Sequence, residues 1–379
     1  MGGMMGELSS LEAWQLGAVA IKTAVARAGI PPEAVDEVFM GNVLMAGQGQ
    51  APARQASLGA GLPKSAGCVT LNKVCGSGMK SIMFAHDTLL GGTADVIVAG
   101  GMESMSNAPY LLKKARGGYR YGHDKIYDHM ALDGLEDAYE RGTAMGVFAE
   151  RAVAKYGFTR AAQDAFAVES LRRSAQATAD GSFAFEMAPV TVHDKKGDVV
   201  VDKDEGPLKA RPEKIPTLRP AFQKDGTVTA ASSASISDGA AALVLMRASE
   251  AKKRGIQPLA RIVAHAQHAR LPEEFTLAPV HAIDKVLGRA GWTTKDVDLW
   301  EINEAFACVT MIAIHDCKLD PAKVNVYGGA CALGHPIGCS GARLVCTLIG
   351  ALHNTHGKRG VASLCIGGGE ATAVAIEML

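Results

Sequence analysis

Two distant stretches of the chain carry the same alternation of apolar and polar positions. In "IKTAVARAGIPPEAVDEVFMGNV" (21–43) and "IDKVLGRAGWTTKDVDLWEINEA" (283–305), apolar residues recur at helical spacing, stop at Arg-Ala-Gly, and give way to a polar loop and an apolar run. The two align without gaps at an offset of 262 residues, with Arg27-Ala28-Gly29 on Arg289-Ala290-Gly291 and Val35-Asp36 on Val297-Asp298. Each copy therefore predicts a helix closed by a glycine, a short loop and a buried strand. A second pair of blocks follows at a slightly larger offset: "VCGSGMKSIMFAHDTLLGGTADVIVAGGME" (74–103) and "GCSGARLVCTLIGALHNTHGKRGVASLCIGGGE" (338–370). Both read as small residues, a helix, a turn, a strand, glycines and a glutamate.

The chain thus reads as two copies of one α/β unit. Strands alternating with helices predict mainly parallel sheets covered by helices, with ligands at the carboxyl ends of strands. The second copy opens with "LARIVAHAQHA" (259–269), whose equivalent in the first copy would begin ahead of Met1, so the first copy is expected to lack most of its first strand. From about Arg116 to Ser233 the texture changes to charge, proline and aromatic loops, with a helix from about Thr159 to a stop near Gly181. This predicts an insertion over the core, after which "DGAAALVLMRAS" (238–249) returns to the first half as a buried strand. The expected organisation is a first half of 1–115 with 234–249, an insertion of 116–233 and a second half of 250–379.

Composition narrows the function. Lys plus Arg equals Asp plus Glu at 39 each, so no overall basic field favours nucleic acid or an anionic membrane. No apolar run approaches the roughly 18 residues of a membrane span. The opening "MGGMMGELSS" has neither the basic head nor the apolar core of a signal peptide. The expectation is a cytoplasmic chain with a small-molecule ligand. Its eight cysteines include no C-x-x-C pair and are expected to be reduced, mostly as small buried side chains.

One cysteine stands apart. If residues 69–74 end a strand and 77–90 form a helix, Cys75 sits at the helix amino end. Free N–H groups and the macrodipole there should lower its thiol pKa from about 8.5. Gly76 and Gly78 let the backbone approach a ligand closely. "GSGMKS" departs from the dinucleotide fingerprint at Ser81, where a third glycine is needed. His265 and His268 have no cysteine or carboxylate arranged nearby as further ligands, so they read as solvated histidines and no metal site is expected. A base for Cys75 must come from the second copy, which offers "NEAFA" (303–307), "GHPIG" (334–338) and "CIGGG" (365–369). Taken alone, His335 reads as either catalytic or turn-forming and Cys365 as core. If the copies pack about a pseudo-twofold axis, these loops converge on Cys75.

"NKVCGSGMK", "GGMESMSNAP", "SDGAAA", "NEAFA", "GGACALGHPIGCSGAR" and "CIGGGEA" occur in this order across almost the whole chain. Together they resemble the thiolase family. That resemblance implies a thiolase fold of two βαβαβαββ halves with a loop domain inserted in the first. It also implies reversible Claisen condensation of two acetyl-CoA to acetoacetyl-CoA and CoA by a ping-pong route. Cys75 would accept the acyl group, His335 would take its proton, and Cys365 would act as acid and base at the α-carbon of the second acetyl-CoA. Asn303, through a water, would join His335 in one oxyanion hole, and the N–H groups of Cys75 and Gly367 would form the other. Met145, Leu218, Phe222, Ala230, Ala234, Ala305 and Phe306 would line the pantetheine and acyl path, although each also suits ordinary core packing.

The resemblance further implies no separate cofactor, with coenzyme A serving as substrate and product, and a homodimer or homotetramer. The basic loop from Lys113 to Lys125 would hold CoA phosphates or oligomer contacts, or be a solvated face. Two positions depart from the family pattern: Ala234 stands where many relatives carry serine, and Ala144 where the short-chain biosynthetic subgroup often has histidine. They leave open a 3-ketoacyl-CoA thiolase of broader chain length in fatty-acid breakdown. A non-catalytic acyl-CoA or lipid carrier would not need both cysteines, the histidine and the asparagine. A thiol redox sensor would use Cys365 to resolve Cys75.

Overall fold

The computed structural model describes residues 1–194 and 197–379. Two sheets form the core. The first has the order β1-β9-β4-β2-β3, with β1 (Gly2–Gly3), β2 (Glu37–Gly41), β3 (Gly67–Leu71), β4 (Val96–Ser104) and β9 (Ser237–Met246). The second has the order β10-β13-β12-β11, with β10 (Ala260–Ala269), β11 (Leu299–Ile302), β12 (Arg359–Ile366) and β13 (Glu370–Met378). Two helices, Ser77–Gly91 and Ser340–Thr355, lie between them. Met79, Ile82 and Met83 of one helix and Leu344, Val345 and Leu348 of the other share a single buried cluster with Phe39, Ile97, Leu364 and Ile376 from both sheets. The outer faces are covered by the helices Ala13–Arg27 and Ala278–Ala290.

The internal repeat holds at the level of single hydrogen bonds. Gly29 follows its helix at φ 66° and Gly291 at φ 68°, and each leads into a one-turn 3-10 segment, Pro32–Ala34 or Thr294–Asp296. Asp36 Oδ2 then accepts from the N–H groups of Asp95 and Val96 at 2.8 and 2.9 Å. Asp298 Oδ2 accepts from Lys358 and Arg359, both at 2.8 Å. In each half one aspartate thus pins the start of a central strand to its neighbour.

Two features differ from the sequence expectation. The sheets are mixed rather than mainly parallel: β2 runs parallel to β3 and β4, and β11 to β12, but the other pairs are antiparallel. The cause is the β12–β13 connection through Gly367-Gly368-Gly369, since so short a link joins only antiparallel strands. The first half reproduces that pair after its insertion, as β4 and β9. Second, the counterpart of β3 in the second half shrinks to one parallel bridge between Trp300 and Val324. The shortened first strand, by contrast, is as expected: β10 pairs with β13 along its length, whereas β1 reaches β9 only at Ser237 and Asp238. Among the described residues, the outer edge of β9 beyond Asp238 has no strand partner.

The insertion between β4 and β9 carries two hairpins, β5 (Tyr110–Leu111) with β6 (Tyr127–Asp128) and β7 (Val190–Asp194) with β8 (Gly197–Val201). It also contributes the helices Met145–Tyr156 and Arg160–Asp180. Thr159 caps the second of these by accepting from Ala162 N–H at 3.1 Å, and Gly181 ends it at φ 81°. Ser170 on that helix donates to Glu304 Oε2 at 2.7 Å, tying the insertion to the second half.

Candidate active site

The corner that carries Cys75 begins earlier than its sequence suggests, because β3 stops at Leu71 rather than Val74. Val74 sits at φ 46°, a left-handed conformation that a β-branched residue rarely adopts. Hydrogen bonds hold it there: Val74 N–H donates to Asn72 Oδ1 at 2.9 Å, and Ser77 Oγ donates to Val74 O at 2.6 Å while accepting from Lys73 N–H at 2.8 Å. Strain held by its surroundings is what a sharp turn needs to push a side chain forward at the start of a helix. The Lys73 ammonium pairs with Glu370, so the corner is also anchored to the second half.

The expectation that the helix end lowers the Cys75 pKa is wrong in sign. Burial pushes the thiol up to about 11; the N–H groups of Gly367 and of Cys75 itself oppose this, and the nearby Glu103 carboxyl adds to it. Two N–H donors and one helix terminus do not offset the loss of water around a sulfur anion. The resting side chain is a neutral thiol.

The second half supplies the remaining groups. Gly367, where a Cβ would lie 3.7 Å from Val74 Cγ1, is two residues beyond Cys365, which is 1% exposed at the end of β12. Burial also raises the Cys365 thiol, and the nearby thiols Cys75 and Cys308 raise it further. Gly334 precedes His335 at φ 97°, and a Cβ there would lie 2.0 Å from Ser237 Oγ, so no other residue fits. His335 N–H donates to Ser235 O at 3.0 Å.

The His335 ring is oriented from both sides. Ser340 Oγ donates to Pro336 O at 3.0 Å and lies 2.5 Å from His335 Nδ1, so it accepts from Nδ1–H there. That tautomer leaves the lone pair on Nε2, which faces Asn303 Nδ2 at 3.5 Å. Burial, with the Arg343 guanidinium as a second cause, drives the imidazole down to about 3, so it rests neutral. Arg343 itself pairs with Glu301 at 3.2 Å.

Sequence reasoning missed the group that joins these loops. Glu103 is the penultimate residue of the fully buried strand β4 and accepts four hydrogen bonds: from Val43 N–H at 3.0 Å, Leu44 N–H at 3.1 Å, Asn42 Nδ2 at 2.7 Å and Gly338 N–H at 2.8 Å. Burial carries its carboxyl up to about 7 against these donors. The first three donors belong to the first half and the last to the His335 loop. An acid inside the apolar run "VIVAGGMES" was the available signal, since a fully buried glutamate is rare unless it is partnered.

Of the residues expected along the substrate path, Met145, Phe222, Ala305 and Phe306 share one apolar cluster with Cys365 and Cys308. Phe222 and Phe306 meet edge to face with centroids 5.7 Å apart. A Cβ at Gly367 would lie 3.5 Å from Met145 Sδ. Ala234 N–H donates to Ala305 O at 3.0 Å, which places it beside this wall. Leu218 and Ala230 lie outside the cluster, flanking the Pro220–Thr229 bridge. In the basic loop, Lys114 pairs with Asp124 at 2.8 Å, and Lys113 lies over the Tyr127 ring. The reading of His265 and His268 as solvated is overturned: both are half-buried, and His265 Nε2 lies 2.8 Å from Asp87 Oδ1.

Family models for the thiolase N-terminal domain and the thiolase C-terminal domain match residues 1–249 and 256–378. The chain is 49% identical to acetyl-CoA acetyltransferase 1 of Arabidopsis thaliana, covering 100% of this chain and 92% of that protein. It is 52% identical to the mitochondrial acetyl-CoA acetyltransferase B of Xenopus laevis, covering 100% and 90%, and 50% identical to the mitochondrial enzyme of Homo sapiens, covering 100% and 88%. A crystal structure of Acat5 thiolase from Ascaris suum in complex with coenzyme A superposes with a TM-score of 0.94 at 43% identity, covering 100% of this chain and 97% of that one.

Proposed function

Because the chain belongs to the thiolase family, we propose that it is an acetyl-CoA C-acetyltransferase, joining two acetyl-CoA into acetoacetyl-CoA and CoA and running the reverse thiolysis. The observation that carries this reading is the contact between the two corners: a Cβ on Gly76 would lie 2.4 Å from Ile366 Cδ1 and one on Gly367 3.7 Å from Val74 Cγ1. It sets a backbone donor from one half beside the nucleophile of the other, two residues from a second thiol.

Cys75 Sγ attacks the thioester carbonyl as His335 Nε2 takes its proton. Burial favours the neutral thiol and imidazole over their ion pair, so the proton moves during attack rather than before it. The carbon–sulfur bond to CoA breaks, and the departing thiolate takes that proton from His335. Cys365 then gives its thiol proton to the again neutral His335 and, as a thiolate, takes the α-proton of the second acetyl-CoA. The enolate attacks the acetyl carbonyl, the bond to Cys75 breaks, and the Cys75 thiolate takes the proton held on His335, while the proton from carbon stays on Cys365. The Asn303–His335 pair and the N–H groups of Cys75 and Gly367 serve as the two sets of oxyanion donors, since an enolate needs preorganised donors.

CoA is substrate and product, with its pantetheine along the Met145, Phe222 and Phe306 wall and on past Leu218, Ala230, Ala234 and Ala305. The domain limits 1–115 with 234–249, 116–233 and 250–379 follow from this reading. So does a homodimer or homotetramer, favoured by the open edge of β3, where Val69 is 43% exposed. A cytoplasmic location and a place in fatty-acid metabolism belong to the same proposal; no described helix is long and apolar enough to cross a membrane.

The test is to incubate the protein with radiolabelled acetyl-CoA, quench and map the label. Label on Cys75 is expected, and its absence there overturns the ping-pong route. Ala144 favours broader chain length as a second reading, which thiolysis rates across 3-ketoacyl-CoAs of increasing length decide.

A further inference from the structure

Away from this site, among the described residues, three metal-ligating side chains converge between the two halves. His86 and Asp87 lie near the end of the Ser77–Gly91 helix, and His265 lies on β10. We propose that His86, Asp87 and His265 hold a divalent transition-metal ion, with Zn²⁺ as its occupant, clamping the helix that follows Cys75 to the first strand of the second half.

The geometry is close to what an ion requires. Asp87 Oδ1 lies 2.8 Å from His265 Nε2 and 3.3 Å from His86 Nδ1, and the three ligand atoms lie within 4.8 Å of one another. Zinc bonds of about 2.0 to 2.2 Å put tetrahedral ligand atoms roughly 3.4 Å apart, so small side-chain rotations suffice. The two imidazole rings are 89° apart with centroids at 5.1 Å, so they approach a common point from different directions. Two imidazoles and one carboxylate suit zinc, copper or nickel rather than the oxygen-seeking magnesium or calcium.

Access and local bonding agree. The Asp87 side chain is 53% exposed, which leaves an entry path and open positions for water, whereas the two histidines are 22% and 15% exposed and already positioned. Lys80, whose charge acts on His265, is engaged by Gln267 Oε1 at 3.2 Å and by the Phe84 ring. The other histidine pair, His268 with His281, is a poor competitor because the Arg270 guanidinium bonds His281.

The experiment uses the full-length protein, stripped with a chelator, dialysed and titrated with Zn²⁺ or Mg²⁺ by isothermal calorimetry. One Zn²⁺ per chain and no Mg²⁺ is expected, with a rise in unfolding temperature on Zn²⁺ addition. His265→Gln and Asp87→Asn should each weaken binding at least about tenfold and abolish that rise while leaving thiolysis intact; even outer-shell groups change metal affinity by that much. His281→Gln should change nothing. Co²⁺ as a probe should give no thiolate charge-transfer band. The proposal is overturned by binding that does not saturate near one equivalent, by binding indifferent to the His265 and Asp87 substitutions, or by a thiolate band, which would put the ion on the catalytic cysteines.

Discussion

Gly78 and Gly341 oppose one another where the two central helices begin: a Cβ on Gly78 would lie 2.8 Å from Ala342 N, and one on Gly341 would lie 2.4 Å from Met79 N. Equivalent glycines of the two copies thus let the Cys75 helix and the His335 helix touch backbone to backbone. Gly341→Ala should cost about 1 to 3 kcal/mol of stability through overpacking. Because the clash separates the two corners, kcat should also fall. Denaturant unfolding and steady-state condensation assays check both, and an alanine variant with unchanged stability would mean the contact is not tight.

Cys365→Ala should still take up acetyl label on Cys75 but lose condensation by about 10²- to 10⁴-fold, the usual contribution of a general acid–base. Quenched labelling run beside product formation separates the half-reactions. Loss of labelling in this variant would move Cys365 into the first half-reaction.

Asn303 is fully buried, and its Oδ1 has no partner among the described residues, so its side chain satisfies little in the resting fold. Asn303→Ala should therefore leave the unfolding temperature nearly unchanged while lowering kcat by about 10²- to 10³-fold, the scale of one oxyanion donor. A large stability loss with intact kcat would reverse the assignment.

Beneath His335, burial holds the Glu301 carboxyl up to about 8, with Arg343 opposing and Glu186 and Glu304 adding. A carboxyl whose pKa is higher in the fold than in the unfolded chain contributes stability that is whole below pH 4.5 and lost as pH rises towards about 8. Glu301→Gln stays neutral throughout, so its unfolding temperature should fall less than that of the parent over this window. Parallel curves for the two proteins would exclude Glu301 as a source of the loss. Glu186, held up to about 7 by burial, contributes with the same sign, so some slope should remain.

Much of this arrangement is legible in the sequence because it is local and repeated. The offset that aligns the strand-pinning aspartates Asp36 and Asp298 also aligns two 3-10 turns. Cys75, His335 and Cys365 stand in short runs whose glycines mark corners, and Asn303 directly follows the apolar run of β11. What the sequence hides is set at long range. Thiol protonation depends on burial by the other half, which outweighs the nearby helix end. The Asp87–His265 contact spans 178 residues and leaves no local pattern. The antiparallel pairs come from a three-glycine turn in one half and from a long excursion in the other, so helix–strand alternation alone does not fix strand direction.

The four hydrogen bonds to Glu103 have an evolutionary consequence. Duplication ordinarily leaves a spare copy, but here a single carboxylate closes the loops of both halves at once, and each half holds chemistry the other lacks. The duplicated architecture has no redundancy left. On the proposed assignment a lesion in either copy should disable the whole catalyst, so that the two halves can change further only together.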